Sequence, residues 1–153
     1  MIKFFLIYII CLSYIIPKTF VQKSKTESIN RGSEIYKDFC TRCHKSDGLG
    51  IEDLIPPLKS SDYLLENYDL SIAGLKYGLK GKIIVNDKEY DSYMAYQGLD
   101  NEEIADVMNF ILNQWGNKSK EIITYKQVSE VKKSILQKWS NFRDCIILSH
   151  PRD

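Results

Sequence analysis

Hydrophobic and polar positions divide the chain into three regimes. Phe4 to Ile16 is an apolar run broken only by Ser13, with Lys3 before it and Pro17-Lys18 after it. Lys23 to Asn30 is polar and reads as a tether. From Arg31 the spacing turns helical: Ile35, Tyr36, Phe39, Cys40 and Cys43 lie near i, i+1, i+4, i+5 and i+8 of one face. Asp47-Gly48-Leu49-Gly50 predicts a loop, and Pro56-Pro57 an extended segment. Short helices are expected near Asp62–Tyr68 and Leu70–Tyr77, with Gly78 and Gly81 ending that region. Ile83 to Tyr90 predicts a small hairpin turning on Asn86-Asp87, since Asn accepts the left-handed backbone of such a turn.

The strongest helical signal follows Leu99. Asp100 is a good N-cap and Glu103 completes a capping box. Ile104, Val107, Met108, Ile111 and Trp115 then form an apolar stripe, with Gly116 placed to stop it. A second capped helix is expected from Thr124 to Phe142, with Gln127 at N3 and Val128, Val131, Ile135, Trp139 and Phe142 along one side. A helix of that length with one exposed apolar face does not hold alone in water, so the face must pack, either on its own domain or on a partner protein. The reading favours its own domain. With so little strand signal, the fold class is all-α.

Charge and length sharpen the picture at the N-terminus. The 153 residues carry a net charge of +1, but residues 1–23 hold Lys3, Lys18 and Lys23 and no acid. The rest is slightly acidic and offers no broad cationic stripe for a nucleic-acid backbone, so no nucleic-acid partner is expected. The Phe4–Ile16 run is shorter than the about 20 residues that span a bilayer and matches the apolar core of an export signal. Residues 1–23 therefore read as a signal peptide or an N-terminal membrane anchor, and both readings export the remainder to the bacterial periplasm. Cys11, preceded by Ile10, reads as an apolar residue of that segment rather than a lipidation site.

Cys40-Thr41-Arg42-Cys43-His44 carries the chemistry. Two thiols three apart on a helical turn can add across the two vinyl groups of a haem, and the following histidine is then placed to coordinate iron from one face. Three other readings stand beside this one. The motif occurs by chance. A redox dithiol would need a βαβ setting, which the pattern lacks. A zinc site would need further ligands, and only Cys145 and His150 of the tail are candidates. Cys145 otherwise reads as an apolar residue.

From Gly32 to about Asn117 the chain resembles class I (mitochondrial-type) c-type cytochromes, especially bacterial single-haem domains. The resemblance runs through Gly32, Tyr36 and Phe39 leading into the Cys-x-x-Cys-His motif. It continues with Asp47-Gly48-Leu49-Gly50, Ile55-Pro56-Pro57-Leu58, Gly78 through Tyr90 to Met94, and Leu99-Asp100 into Trp115-Gly116-Asn117. It implies one haem c attached through Cys40 and Cys43, with His44 and a methionine as axial ligands of the iron. Of Met1, Met94 and Met108, the first lies in the signal and the last on the apolar stripe. Met94, on a loop before the last family helix, occupies the ligand position, although Ala95 stands where the family usually has proline. Pro56 matches the proline whose carbonyl accepts a hydrogen bond from the proximal histidine.

The resulting expectation is an export segment (1–23), a linker (24–30), a cytochrome c domain (31–117) and a helical extension (118–153). The function it implies is single-electron transfer by Fe(II)/Fe(III) cycling, with redox proteins as partners and no catalysis of its own. An alternative is a haem c subunit or domain partner of a larger oxidoreductase: a dehydrogenase, nitrite reductase or terminal oxidase. A haem peroxidase or sensor would need an open iron position and is less favoured. Tyr36 or Phe39 should pack on Phe110 and Ile111, and Tyr90 should reach a haem propionate or cover the haem edge. Arg42, Lys45, Lys80 and Lys82 read mainly as solvated charge, with steering of an acidic partner as the other reading.

Overall fold

The computed structural model describes residues 23–137. The export segment, and Trp139, Phe142, Cys145 and His150 of the tail, lie outside the described residues. Among the described residues no helix is long and apolar enough to cross a membrane.

The frame is a crossing of α1 (Lys25–Phe39) and α5 (Asn101–Ile111). Gly32 sits at the crossing, where a Cβ would lie 2.0 Å from the Asp106 carbonyl oxygen, so only glycine lets the two backbones approach this closely. Tyr36 packs its ring 5.3 Å from Phe110 and 5.2 Å from Trp115, with Phe110 edge-on to Trp115. Phe39, the other aromatic expected here, is instead 48% exposed.

α1 begins earlier than its apolar spacing indicates. Residues 24–30, read as a linker, open the helix: Ser24 Oγ accepts from Glu27 N at 3.2 Å as the N-cap. Polar pairing across the crossing holds this half of the helix. Ser28 donates to Asp106 Oδ1 at 2.6 Å, Arg31 Nε lies 3.2 Å from Asp106 Oδ2, and Lys23 pairs with the same carboxylate. Asp106 is buried, so it needs these partners.

The capping box of α5 forms: Asp100 Oδ1 accepts from Glu102 N and Glu103 N, and Glu103 Oε2 accepts from Asp100 N. The helix stops at Ile111 rather than at Gly116. Asn113 N turns to Phe110 O at 3.0 Å, Asn113 Nδ2 takes the Asn109 carbonyl, and Trp115 adopts φ 53 to donate Nε1 to Ser46 O.

Between these helices run α2 (Thr41–His44), α3 (Asp62–Glu66) and α4 (Tyr68–Tyr77), and then a hairpin of β1 (Leu79–Val85) and β2 (Lys88–Met94). The turn falls on Asn86 and Asp87, both with positive φ, as a type I′ turn requires. The strands are longer than Ile83–Tyr90, with Gly81 inside β1, so the described residues are helix-rich with one two-stranded sheet. Ile83, Val85 and Tyr90 form a small core with Tyr63 and Leu79. Tyr90 is therefore a packing residue of the hairpin.

The extension packs on its own domain through all of its described length. Ile123 exchanges two hydrogen bonds with the Asn109 side chain, at 2.8 and 2.9 Å. α6 (Tyr125–Glu130) is capped by Thr124 Oγ1, which accepts from Gln127 N. Ile123, Val128 and Val131 join the main core with Ile104 and Met108. The expected continuous helix breaks at Val131, which turns extended at ψ 122. Its carbonyl is taken by Tyr77 OH at 2.9 Å and Lys76 Nζ at 3.3 Å instead of by the next helical turn. Helical backbone resumes at Ser134.

Candidate functional site

The Cys-x-x-Cys-His motif lies where α1 hands over to α2. Cys40 N still donates to Tyr36 O at 2.9 Å, while the Cys40 carbonyl accepts from Cys43 N at 3.1 Å and His44 N at 2.9 Å. This single turn sets the two thiols and the imidazole along one side of the chain. Tyr36 OH donates to Lys45 O at 2.6 Å, and Lys45 takes φ 58, so the chain leaves the helix immediately after His44. Burial, with Cys40 and Asp47 nearby, raises the Tyr36 phenol well above its usual range and keeps it a donor.

The loop that follows is tightly knit. Gly50 adopts φ +70, and a Cβ there would lie 2.2 Å from Ile55 O, so glycine lets the loop close on itself. Ile51 and Ile55 exchange backbone hydrogen bonds at 3.0 and 2.7 Å, and Gly48 O accepts from Leu58 N and Lys59 N. Closure brings Pro56 O to 3.3 Å from His44 Nδ1. A carbonyl only accepts, so Nδ1 carries the proton and Nε2 keeps its lone pair for a metal. Burial lowers the His44 pKa, opposed by the Pro56 carbonyl, which favours the neutral ring that can coordinate. Burial, then the neighbouring Cys43, pushes the Cys40 thiol up to about 11.

These residues converge on one cleft. Its outer part, about 440 Å³, is lined by Cys40, Cys43, His44, Pro56 and Met94 together with Phe39, Arg42 and Tyr93. That volume is in the range that takes cofactors and small ligands. A smaller inner cavity of about 90 Å³ shares Cys40, His44, Pro56, Leu79, Ile83 and Met94 as walls and is otherwise mostly apolar, with Leu64, Leu75 and Val107 beside Ser61 and Ser71. Met94 is the last residue of β2, cross-strand from Leu79, and not on a loop as its position before α5 implied. Met108 is fully buried on the core face of α5 and reaches only the inner cavity. All five residues singled out from sequence thus face the same space.

The donor set fits a haem: two thiols at one side for thioether bonds, a neutral imidazole and a thioether sulfur on the walls, and an apolar interior. Among the described residues no group of three or more His, Cys, Asp or Glu is arranged to hold a metal ion, and Cys145 and His150, the further zinc ligands the sequence offers, lie outside the described residues. Two parts of the site were not foreseen. Trp115 Nε1 and the Asn117 side chain both reach into the segment after His44, and only their place just after the helical stretch 99–111 hinted at it.

Comparison with known proteins agrees with this chemistry. A sequence model of the cytochrome c family matches residues 29–115. Cytochrome c-552 of Thermus thermophilus is 36% identical over 109 residues, which cover 67% of this chain and 82% of that protein. The cytochrome c subunit of the quinone alcohol dehydrogenase of Gluconobacter oxydans (strain 621H) is 28% identical over 107 residues, and that of gluconate 2-dehydrogenase of Pantoea cypripedii 27% identical over 116. The matched part spans only 22% and 25% of those two subunits. The chain belongs to the cytochrome c family of electron carriers, whose cofactor is covalently attached haem c.

Proposed function

We propose that the protein is a periplasmic single-haem electron carrier, with haem c attached through Cys40 and Cys43 and held axially by His44 and Met94. The observation that carries this reading is the convergence of those four side chains, with Pro56, on one largely apolar cleft. The haem supplies a centre that takes up and releases one electron as Fe(III) and Fe(II). The chain supplies the rest. His44 offers Nε2 while Pro56 holds its other nitrogen, which fixes the ring plane and strengthens its donation. Met94 offers a soft sulfur that favours the reduced state. Apolar walls disfavour extra positive charge and act in the same direction. Were His44 and Met94 both to hold the iron, no open position would be left for a substrate, as a peroxidase or sensor would need.

The partner is a redox protein. Dehydrogenase cytochrome subunits among the relatives support the second reading, a haem c module working beside a larger oxidoreductase. The apolar run at Phe4–Ile16 supports export, with a membrane tether if the segment is retained. Of Arg42, Lys45, Lys80 and Lys82, Lys82 pairs with Glu89 at 2.8 Å, an exposed pair that supports reading these residues mainly as solvated charge.

Two experiments test the assignment. Haem staining after denaturing electrophoresis should leave colour on the protein band, and Cys40→Ala or Cys43→Ala should sharply reduce it. Colour that extracts into acid acetone would overturn covalent attachment. For the distal side, the oxidised protein should carry the weak near-infrared band of a methionine-sulfur-to-iron bond. Met94→Ala should abolish that band and lower the potential, while Met108→Ala should keep it and cost only stability, about 2–5 kcal/mol for a buried methionine. A band lost with Met108 instead would reassign the ligand.

A further inference from the structure

Two asparagines, Asn109 in the last turn of α5 and Asn117 in the chain that follows it, are buried in the same manner and hold different parts of the molecule. Asn109 donates to Ser28 Oγ and Ile123 O, both at 2.9 Å, and accepts from Ile123 N at 2.8 Å, which secures the extension. Asn117 donates to Leu58 O at 2.9 Å and Ile111 O at 2.8 Å, and accepts from Ser60 N at 2.8 Å. Both donors and the acceptor of Asn117 are in use, in a residue only 4% exposed. Its partners Leu58 and Ser60 follow Pro56-Pro57 directly, and prolines transmit a fixed backbone direction.

We propose that Asn117 is a positioning residue for the proximal histidine: it fixes the 58–60 backbone to the end of α5 and so holds the Pro56 carbonyl against His44 Nδ1. The inference rests on the reading of His44 as an iron ligand. The Pro56–His44 contact is the sensitive member of the chain. At 3.3 Å it lies beyond the usual 2.9–3.0 Å of an N–H···O bond, so a shift of a few tenths of an ångström breaks it. A histidine whose second nitrogen loses its carbonyl partner donates less strongly to iron, which raises the reduction potential.

The test compares Asn117→Ala with Asn109→Ala in the haem-loaded protein. Each variant removes three hydrogen bonds of one kind from one end of the molecule, but only the first touches the proximal loop. The readouts are the potential and the solvent-exchange rate of the His44 Nδ1 proton in the reduced protein, followed by NMR and referenced to global unfolding. Asn117→Ala should speed that exchange by about tenfold or more and raise the potential, whereas Asn109→Ala should leave both at the wild-type values while lowering thermal stability. If Asn117→Ala does not yield folded protein, Asn117→Ser, which keeps a donor but shortens the reach, should show the same changes in smaller degree. Equal exchange and potential in the Asn117 and Asn109 variants would overturn the inference and make Asn117 a stability residue. A wild-type His44 ring without the large ring-current shift of a haem ligand would overturn the ligand reading itself, and this inference with it.

Discussion

Gly32→Ala should cost the protein about 3 kcal/mol or more and leave little haem-loaded material at growth temperature, as read by thermal melts and by yield of coloured protein. The added methyl carbon would sit 2.0 Å from the Asp106 oxygen, 2.5 Å from its carbonyl carbon and 2.9 Å from Phe110 Cβ. The first two obstacles are backbone, so no side-chain rotation relieves them and α1 must move away from α5. Separation has a second consequence, because Asp106 is buried at this crossing. Its partners Ser28, Arg31 and Lys23 all come from the α1 side, and a buried carboxylate deprived of them is strongly unfavourable. Separation would also loosen Tyr36 against Phe110 and Trp115, and Tyr36 holds the chain after His44. A Gly32→Ala protein with unchanged melting temperature would mean that the crossing is looser than these distances indicate.

Local signals that act over a few residues were legible in the chain. The Asp100–Glu103 capping box, the Thr124 cap, the Asn86-Asp87 turn and the helical turn at Cys40–His44 each depend on neighbours within about four positions. The features that sequence reading misplaced depend on distant partners. The first turns of α1 carry no apolar rhythm and are held by a carboxylate 78 positions away from Ser28. The early end of α5 follows from the Trp115 indole reaching Ser46, and the break at Val131 from Tyr77 and Lys76 capturing its carbonyl. Periodicity reports which face of a segment is apolar and says nothing about which carbonyl a remote side chain will take.

The same division runs through the site. Cys40, Cys43 and His44 announce themselves because their chemistry is fixed by spacing along one turn. Met94 and Pro56 came from resemblance, and nothing in their own surroundings in sequence marks them out. Met94 faces the cleft because the hairpin register pairs it with Leu79, which depends on a turn eight residues before it. Asn117 entered the sequence reading only as the end of the Trp115-Gly116-Asn117 resemblance, because an asparagine after a helix is otherwise ordinary in sequence. Its three partners become visible only when the 58–60 loop is seen folded back against α5.

Ending the chain after Asn117 should lower the stability of the haem-loaded domain by a few kcal/mol, a fall in melting temperature of at least about 10 °C for a domain of this size. Ile123, Val128 and Val131 are buried in the same core as Ile104 and Met108, and each contributes roughly 1.5–3 kcal/mol by leaving water. Part of that is offset by the entropy of ordering the segment, which is why the net loss is smaller than the sum. Polar losses add to it. Without Ile123 the buried Asn109 amide is left without its carbonyl partner and its acceptor without a donor, and Lys76 and Tyr77 lose the carbonyls they hold at Val128 and Val131. The cleft is lined by none of these extension residues, so the haem spectrum and the rate of electron exchange with a redox partner should persist below the new melting temperature. The opposite pattern, unchanged melting with lost partner turnover, would make the segment a docking element for another protein, with its described packing of little energetic weight.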